Sequence, residues 1–307
     1  MDTTTLPRLT SLNQELATSP EKFGELRSSI DALDDAQALR ERMQEDGYLY
    51  LPGYLNRDEV LAAREVMLER LAEAGWLDPA YPTMEAVAGD NDTTGARPDL
   101  VQDNEPLRRL LYSGRMIEFY TRFLGGEVAH FDFTWTRAMR PDAGTPPHCD
   151  IVYMGRGTTN LYTSWTPLGD IPYEIGGLMI LEKSHRIERL RAGYGSKDAD
   201  EYCTNRRQAA PEGDGGGGNI SSGGWLSKNP VKLRDNLGGR WVTTEYRAGD
   251  LLVFSVYTVH ASLDNHSNRV RLSSDSRYQL ASDPIDERWM GDDPLGRRMA
   301  YKRGRIC

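Results

Sequence analysis

The sequence predicts a mainly β protein with packed helices, a double-stranded β-helix or jelly roll, and three observations point there. From about Glu127 onward, short segments rich in β-branched and aromatic residues follow one another, separated by Gly, Pro and Asp turns. No helical pattern lies between them, which favours an antiparallel double sheet over a parallel α/β sheet. Before that point the apolar residues recur at helical spacing instead.

The elements follow in order. Leu33, Ala36, Leu39 and Met43 share one helical face, and Gly47 stops that helix. Tyr48 to Leu51 reads as a short strand closed by Pro52 and Gly53. Asn56 or Asp58 caps a second helix running to about Ala74, with Val60, Leu61, Ala63, Val66, Met67 and Leu71 on its apolar side. Strands are expected over Val128 to Met139, Thr159 to Pro167, Leu178 to Leu181, Trp241 to Tyr246, Leu251 to Tyr257 and Arg269 to Leu280. The only low-complexity stretch is Gly213 to Gly224, where Gly215 to Gly218 cannot hold a regular element cheaply. No linker separates the two parts, so one domain is expected over residues 1–307. Residues 1–30 read as an N-terminal extension, and 191–239 as an insertion that could act as a mobile lid.

Composition narrows the function classes. The formal net charge of -9 disfavours nucleic acid, whose phosphates call for clustered Lys and Arg. No apolar run approaches the ~18 residues of a membrane span, and the polar N-terminus lacks the features of a secretory signal, so a cytoplasmic location is expected. Cys149, Cys203 and Cys307 are widely spaced and form neither a disulfide framework nor a zinc-thiolate site.

Only five histidines are present, and two of them stand in informative places. His148 and Asp150 form an H-x-D pair after the Gly144 to Pro147 turn. On an extended segment both side chains would point one way, with Cys149 pointing the other. His260 is the best third ligand, at the polar end of the apolar strand Asp250 to Val259. Two imidazoles and one carboxylate on one face of an octahedron leave three positions open, as an iron(II) oxygenase requires for a chelating 2-oxo acid and O₂. Such a cosubstrate also needs a cation for its far carboxylate. Arg271, on the expected neighbouring strand, offers a planar fork for it, with Arg269 as the alternative. His130 reads as packed, and His266 as a solvent turn. His185 reads equally as a ligand or as a turn residue.

Four segments together resemble the phytanoyl-CoA dioxygenase (PhyH) family of 2-oxoglutarate oxygenases. They are E-D-G-Y-L-Y-L-P-G-Y-L at Glu45 to Leu55, P-H-C-D at Pro147 to Asp150, W-T-P-L-G-D-I-P-Y-E-I-G-G-L-M-I-L-E-K-S-H-R at Trp165 to Arg186, and A-G-D-L-L-V-F at Ala248 to Phe254 with His260 and Arg271 after it. The resemblance implies a double-stranded β-helix in which His148, Asp150 and His260 bind iron(II). It further implies that Arg271 and Ser262 hold the far carboxylate of 2-oxoglutarate and that Trp165 lines its pocket. Thr134 matches more loosely as a further cosubstrate contact.

The implied reaction is hydroxylation of an unactivated C–H in a small molecule, with desaturation, epimerisation or ring formation as alternatives on the same cofactors. A fatty acyl-CoA substrate is not implied. Asp150 stands where halogenating relatives carry a small residue, so halogenation is disfavoured. A cupin-like metal protein without oxidative chemistry is the alternative of another class, and the carboxylate clamp separates the two. Gly89 to Leu100 is a candidate wall for a polar substrate.

Overall fold

The computed structural model describes residues 7–91, 98–199 and 224–291. In chain order these form β1 (Thr10–Ser11), β2 (Gln14–Glu15), β3 (Phe23–Glu25), α1 (Ala36–Asp46), β4 (Tyr48–Leu51), α2 (Arg57–Glu73), α3 (Glu105–Tyr112) and α4 (Gly114–Leu124). There follow β5 (Val128–His130), β6 (Trp135–Met139), α5 (Ile151–Met154), β7 (Tyr162–Pro167), β8 (Leu178–Leu181), α6 (Glu188–Ala192) and α7 (Pro230–Leu237). Last come β9 (Trp241–Thr243), β10 (Leu251–Ser255), β11 (His260–Ser262) and β12 (Arg271–Leu280).

The helices start and stop where side chains satisfy their ends. Asp35 caps α1 by accepting from the amides of Gln37 and Ala38, Asn56 caps α2, and Asn104 caps α3. Gly47 ends α1 with φ of 82°, a left-handed conformation that glycine adopts without penalty. A Cβ there would also collide with the His185 ring. The tight turn feeds α1 directly into β4.

Two sheets face each other, as the jelly-roll expectation requires. The larger runs β4-β10-β7-β12-β5, with β6 also paired to β12; the smaller runs β11-β8-β9-β3. Side-chain alternation along each strand separates the core layers on its two faces. Outward-facing Leu49, Leu51, Leu251, Val253, Leu272 and Tyr278 pack under α1 to α4. Tyr48, Tyr50, Trp165, Leu252 and Phe254 face inward and meet Leu178, Ile180 and Val242 of the smaller sheet. Because helices cover one face and the partner sheet the other, β4 reads Y-L-Y-L with every residue buried. Burying each such leucine stabilises the fold by roughly 1.5–3 kcal/mol.

Two expectations change at this level. The single strand expected over Val128 to Met139 breaks between β5 and β6, because the amides of Asp132 and Phe133 turn away from the sheet and donate to the carbonyl of Trp289 at 3.0 and 3.3 Å. Residues 7–30 are also more than an extension. β3 adds a parallel strand beside β9, Ser11 Oγ donates to the carbonyl of Ser262 at 2.7 Å, and Thr10 Oγ1 donates to Asp264 at 2.6 Å. Among the described residues, no helix is long and apolar enough to cross a membrane.

Candidate active site

The backbone itself brings the two expected histidines together. His148 and His260 form an isolated antiparallel bridge, each amide donating to the other's carbonyl at 3.0 Å, and their rings lie 4.2 Å apart. His260 does not end the long strand, as expected, because β10 stops at Ser255. A turn held by Thr258, whose amide donates to Ser255 and whose hydroxyl donates to the Gly47 carbonyl, carries the chain to the smaller sheet. His260 opens β11 there.

The H-x-D pair is likewise not extended throughout. Asp150 has helical φ and ψ of -68° and -24° and opens α5, because the Ile151 amide turns to donate to Val256 at 3.0 Å. Its carboxylate still reaches the histidines. Oδ1 lies 3.8 Å from His148 Nε2 and 3.7 Å from His260 Nε2. Cys149 points elsewhere, its thiol donating to the Tyr257 carbonyl.

Ligand atoms of His148, Asp150 and His260 all lie within 4.8 Å of one another, a cluster able to hold a metal ion. The hydrogen bonds prepare them for it. Nδ1 of His148 meets the Pro146 carbonyl at 2.8 Å, and Nδ1 of His260 meets the Thr258 carbonyl at 3.0 Å. Carbonyls only accept, so each Nδ1 carries the proton and each Nε2 presents a lone pair to the centre. Burial, then the neighbouring imidazole, pushes His148 down to about 3, and burial also lowers His260. Both rings are thus neutral, the form that ligates.

Asp150 is kept ionised. Burial alone would raise its carboxyl, but the Arg277 guanidinium, helped by the Thr163 hydroxyl, outweighs that and holds it well below the usual carboxylate range. Its Oδ2 accepts from Thr163 Oγ1 at 2.5 Å and from Arg277 Nη2 at 3.1 Å, leaving Oδ1 for the metal position. Arg277 is itself fixed by the Asp275 carbonyl at 3.1 Å and by the Trp135 ring, 4.1 Å beneath it. Neither Thr163 nor Arg277 emerged from the sequence reading. The signal was the set of charged residues Arg271, Asp275 and Arg277, an even number of positions apart and so on one face of a buried strand. Partners of this kind are worth about 10–100-fold in metal affinity. Thr163→Val is therefore expected to weaken iron(II) binding by that order, as read by anaerobic titration, while leaving the fold intact.

Arg271 faces the same interior from the larger sheet, on a strand that does not pair with β11. The expected neighbouring strand is in fact across the barrel. Arg271 is 1% exposed, its Nη1 donates to the Gly176 carbonyl, and its Nε and Nη2 have no partner among the described residues. Burial brings its guanidinium down to about 10. Arg269, the alternative clamp, is exposed. Ser262 lies two residues from His260 on the inward face of β11; its Oγ accepts from the Thr145 amide at 2.8 Å and keeps its own proton to donate. Trp165 is fully buried against Tyr246, with its indole N–H unpartnered. Thr134 bonds the Tyr112 hydroxyl on α3.

Buried donors without acceptors are costly and rare. A guanidinium with Nε and Nη2 unpartnered, facing the same interior as three converging ligand atoms, fits a metal ion carrying a dicarboxylate. The other histidines stand apart: His130 stacks on Tyr112, His185 meets the Gln44 carbonyl, and His266 bonds Thr10.

The sequence pattern of the phytanoyl-CoA dioxygenase (PhyH) family matches residues 43–273, a span containing His148, Asp150, His260 and Arg271. The chain belongs to the phytanoyl-CoA dioxygenase family. As a PhyH member it is an enzyme, a non-haem iron oxygenase of the 2-oxoglutarate-dependent type. Among curated relatives, the 1-deoxypentalenic acid 11-beta-hydroxylase of Streptomyces exfoliatus is 28% identical over 274 residues, covering 81% of this chain and 83% of that one. The PhyH fold is shared with the non-haem α-ketoglutarate-dependent carbocyclase SnoK of nogalamycin biosynthesis, at a TM-score of 0.56 and 20% identity over 85% of this chain and 89% of that one. The epimerase SnoN, solved with Fe3+, α-ketoglutarate and nogalamycin RO, aligns at a TM-score of 0.53 and 22% identity over 85% and 93%.

Of the segment 191–239, residues 200–223 lie outside the described residues, as do 92–97 of the candidate wall. The flanks of the first segment are anchored on the H-x-D loop. Tyr194 donates to the Gly224 carbonyl at 2.6 Å, and the Leu226 amide donates to Pro147 at 2.9 Å.

Proposed function

We propose that His148, Asp150 and His260 hold the iron(II) of this oxygenase and that Arg271 binds the far carboxylate of 2-oxoglutarate, with Ser262 and Trp165 beside it. The observation that carries this reading is that buried Arg271, inside the same barrel as the three ligands, leaves Nε and Nη2 without a partner among the described residues. Bound iron, 2-oxoglutarate and O₂ together supply the oxidant for C–H cleavage, with release of succinate and CO₂.

The chain's own residues bind, orient and exclude water. His148 and His260 present fixed Nε2 lone pairs, Thr163 and Arg277 restrict Asp150 to one donor atom, and Arg271 fixes the orientation of the cosubstrate. The product class we favour is a hydroxylated small molecule, supported by the hydroxylase relative at 28% identity. Desaturation, epimerisation and ring formation use the same ligand set. We place the activity in the cytoplasm, on a small-molecule substrate and without nucleic acid or membrane, and read residues 1–307 as one domain in which part of 191–239 closes over the site.

Anaerobic addition of Fe(II) and then 2-oxoglutarate to the apoprotein is expected to give the weak visible metal-to-ligand charge-transfer band of the chelate. Iron binding without that band would overturn the cosubstrate assignment and favour a cupin-like metal protein.

A further inference from the structure

The inward face of β12 carries Arg271, Ser273, Asp275 and Arg277 in succession, and β6 sets Arg137 opposite Ser273 and Trp135 opposite Asp275. Arg137 donates from Nε to Asp275 Oδ2 at 3.0 Å. Its two terminal nitrogens have no hydrogen-bond partner among the described residues. Its side chain is 29% exposed, whereas those of Asp275, Asp150 and Arg277 are 6%, 3% and 2% exposed. Of Arg137, Arg271 and Arg277, Arg137 is therefore the one guanidinium that keeps contact with solvent, while Arg271 and Arg277 are buried.

Charge balance gives that opening a meaning. Among the described residues, the stripe and centre hold three guanidiniums, Arg137, Arg271 and Arg277, against two carboxylates, Asp150 and Asp275. A metal dication and the 2-oxoglutarate dianion cancel, so the loaded site keeps one positive charge. Arg137 is only partly hydrated, so an anion brought beside its free Nη1 and Nη2 would offset that surplus charge. We infer that Arg137 receives a carboxylate of the substrate, and that the enzyme therefore acts on small monocarboxylic acids; this rests on the iron and 2-oxoglutarate reading of the same site.

Nη1 and Nη2 form a planar pair suited to bidentate carboxylate binding, and the Asp275 contact on Nε fixes the plane of the fork. Trp135 flanks it on β6, and Tyr153, on α5, sits against His148 with ring centroids 5.9 Å apart. Both are half-buried and supply apolar walls for the rest of the molecule.

The test uses the protein loaded anaerobically with Fe(II) and 2-oxoglutarate, titrated calorimetrically with a panel of alicyclic and aryl monocarboxylates and their matched carboxamides. Carboxylates are expected to bind in preference to their amides. Arg137→Gln is expected to cut that preference about tenfold or more, Arg137→Lys to restore part of it, and the 2-oxoglutarate charge-transfer band to survive in both. No preference for acid over amide anywhere in the panel, including no binding at all, overturns the inference. Loss of cosubstrate affinity in Arg137→Gln also overturns it, because the fork would then serve 2-oxoglutarate. If the wild-type protein gives no band, the failure belongs to the reading of the centre itself.

Discussion

Asp150→Ala is expected to abolish iron(II) binding and to destabilise the folded protein as well. The carboxylate does two things at once: Oδ1 faces the two imidazoles, while Oδ2 is the acceptor for Thr163 and Arg277. Removing it leaves a guanidinium 2% exposed and without its counter-charge. Breaking a buried ion pair from one side costs roughly 3–5 kcal/mol, a large part of the ~5–15 kcal/mol that holds a typical domain. Asp150→Asn keeps the acceptor oxygen and the volume, so it is expected to recover part of the stability and none of the iron. Urea unfolding and iron content of the three proteins check this, and a full equivalent of iron in Asp150→Ala would refute the ligand assignment.

Arg271→Met should give changes of opposite sign in two measurements. In the cosubstrate-free protein Arg271 is a desolvated cation with two donors unpartnered. An apolar side chain of similar length removes that cost, and such replacements are often stabilising by about 1–4 kcal/mol. The same change deletes the clamp. Truncating one side of a buried charge pair typically costs 2–5 kcal/mol, so 2-oxoglutarate affinity is expected to fall about 30-fold to several thousand-fold, with iron affinity nearly unchanged. A variant that binds 2-oxoglutarate as the wild type does would show that the carboxylate lies elsewhere.

The sequence was most legible where local chemistry decides the outcome. β4 and β8 fall on Tyr48–Leu51 and Leu178–Leu181 as expected, and Asn56 caps α2, because short apolar runs and capping side chains are local signals. That His148, Asp150 and His260 would cluster was legible for a different reason: few histidines compete for a place there, and H-x-D narrows the choice further. What the sequence could not place were features set by contacts distant in the chain. The break between β5 and β6 depends on Trp289, about 155 positions away. The turn that puts His260 on the smaller sheet depends on the Gly47 carbonyl, and Asp150 is helical because Val256 accepts from its neighbour. Arg277 escaped notice because it acts on a ligand rather than on the metal. Nothing in its own neighbourhood marks it except that it shares a strand face with Arg271 and Asp275.

The two-residue spacing of Arg271, Ser273, Asp275 and Arg277 on one face has an evolutionary consequence. β12 works like a ruler, with graduations at every second residue that set the proposed clamp Arg271, the Arg137 partner Asp275 and the Asp150 partner Arg277. Point substitutions can alter one graduation and spare the others, so these properties can drift separately. An insertion or deletion of one residue within the strand would instead turn the whole scale to the helical face. Length changes are then best tolerated outside it, in the connections between strands, and those connections are where a lineage can vary its substrate without rebuilding its catalyst.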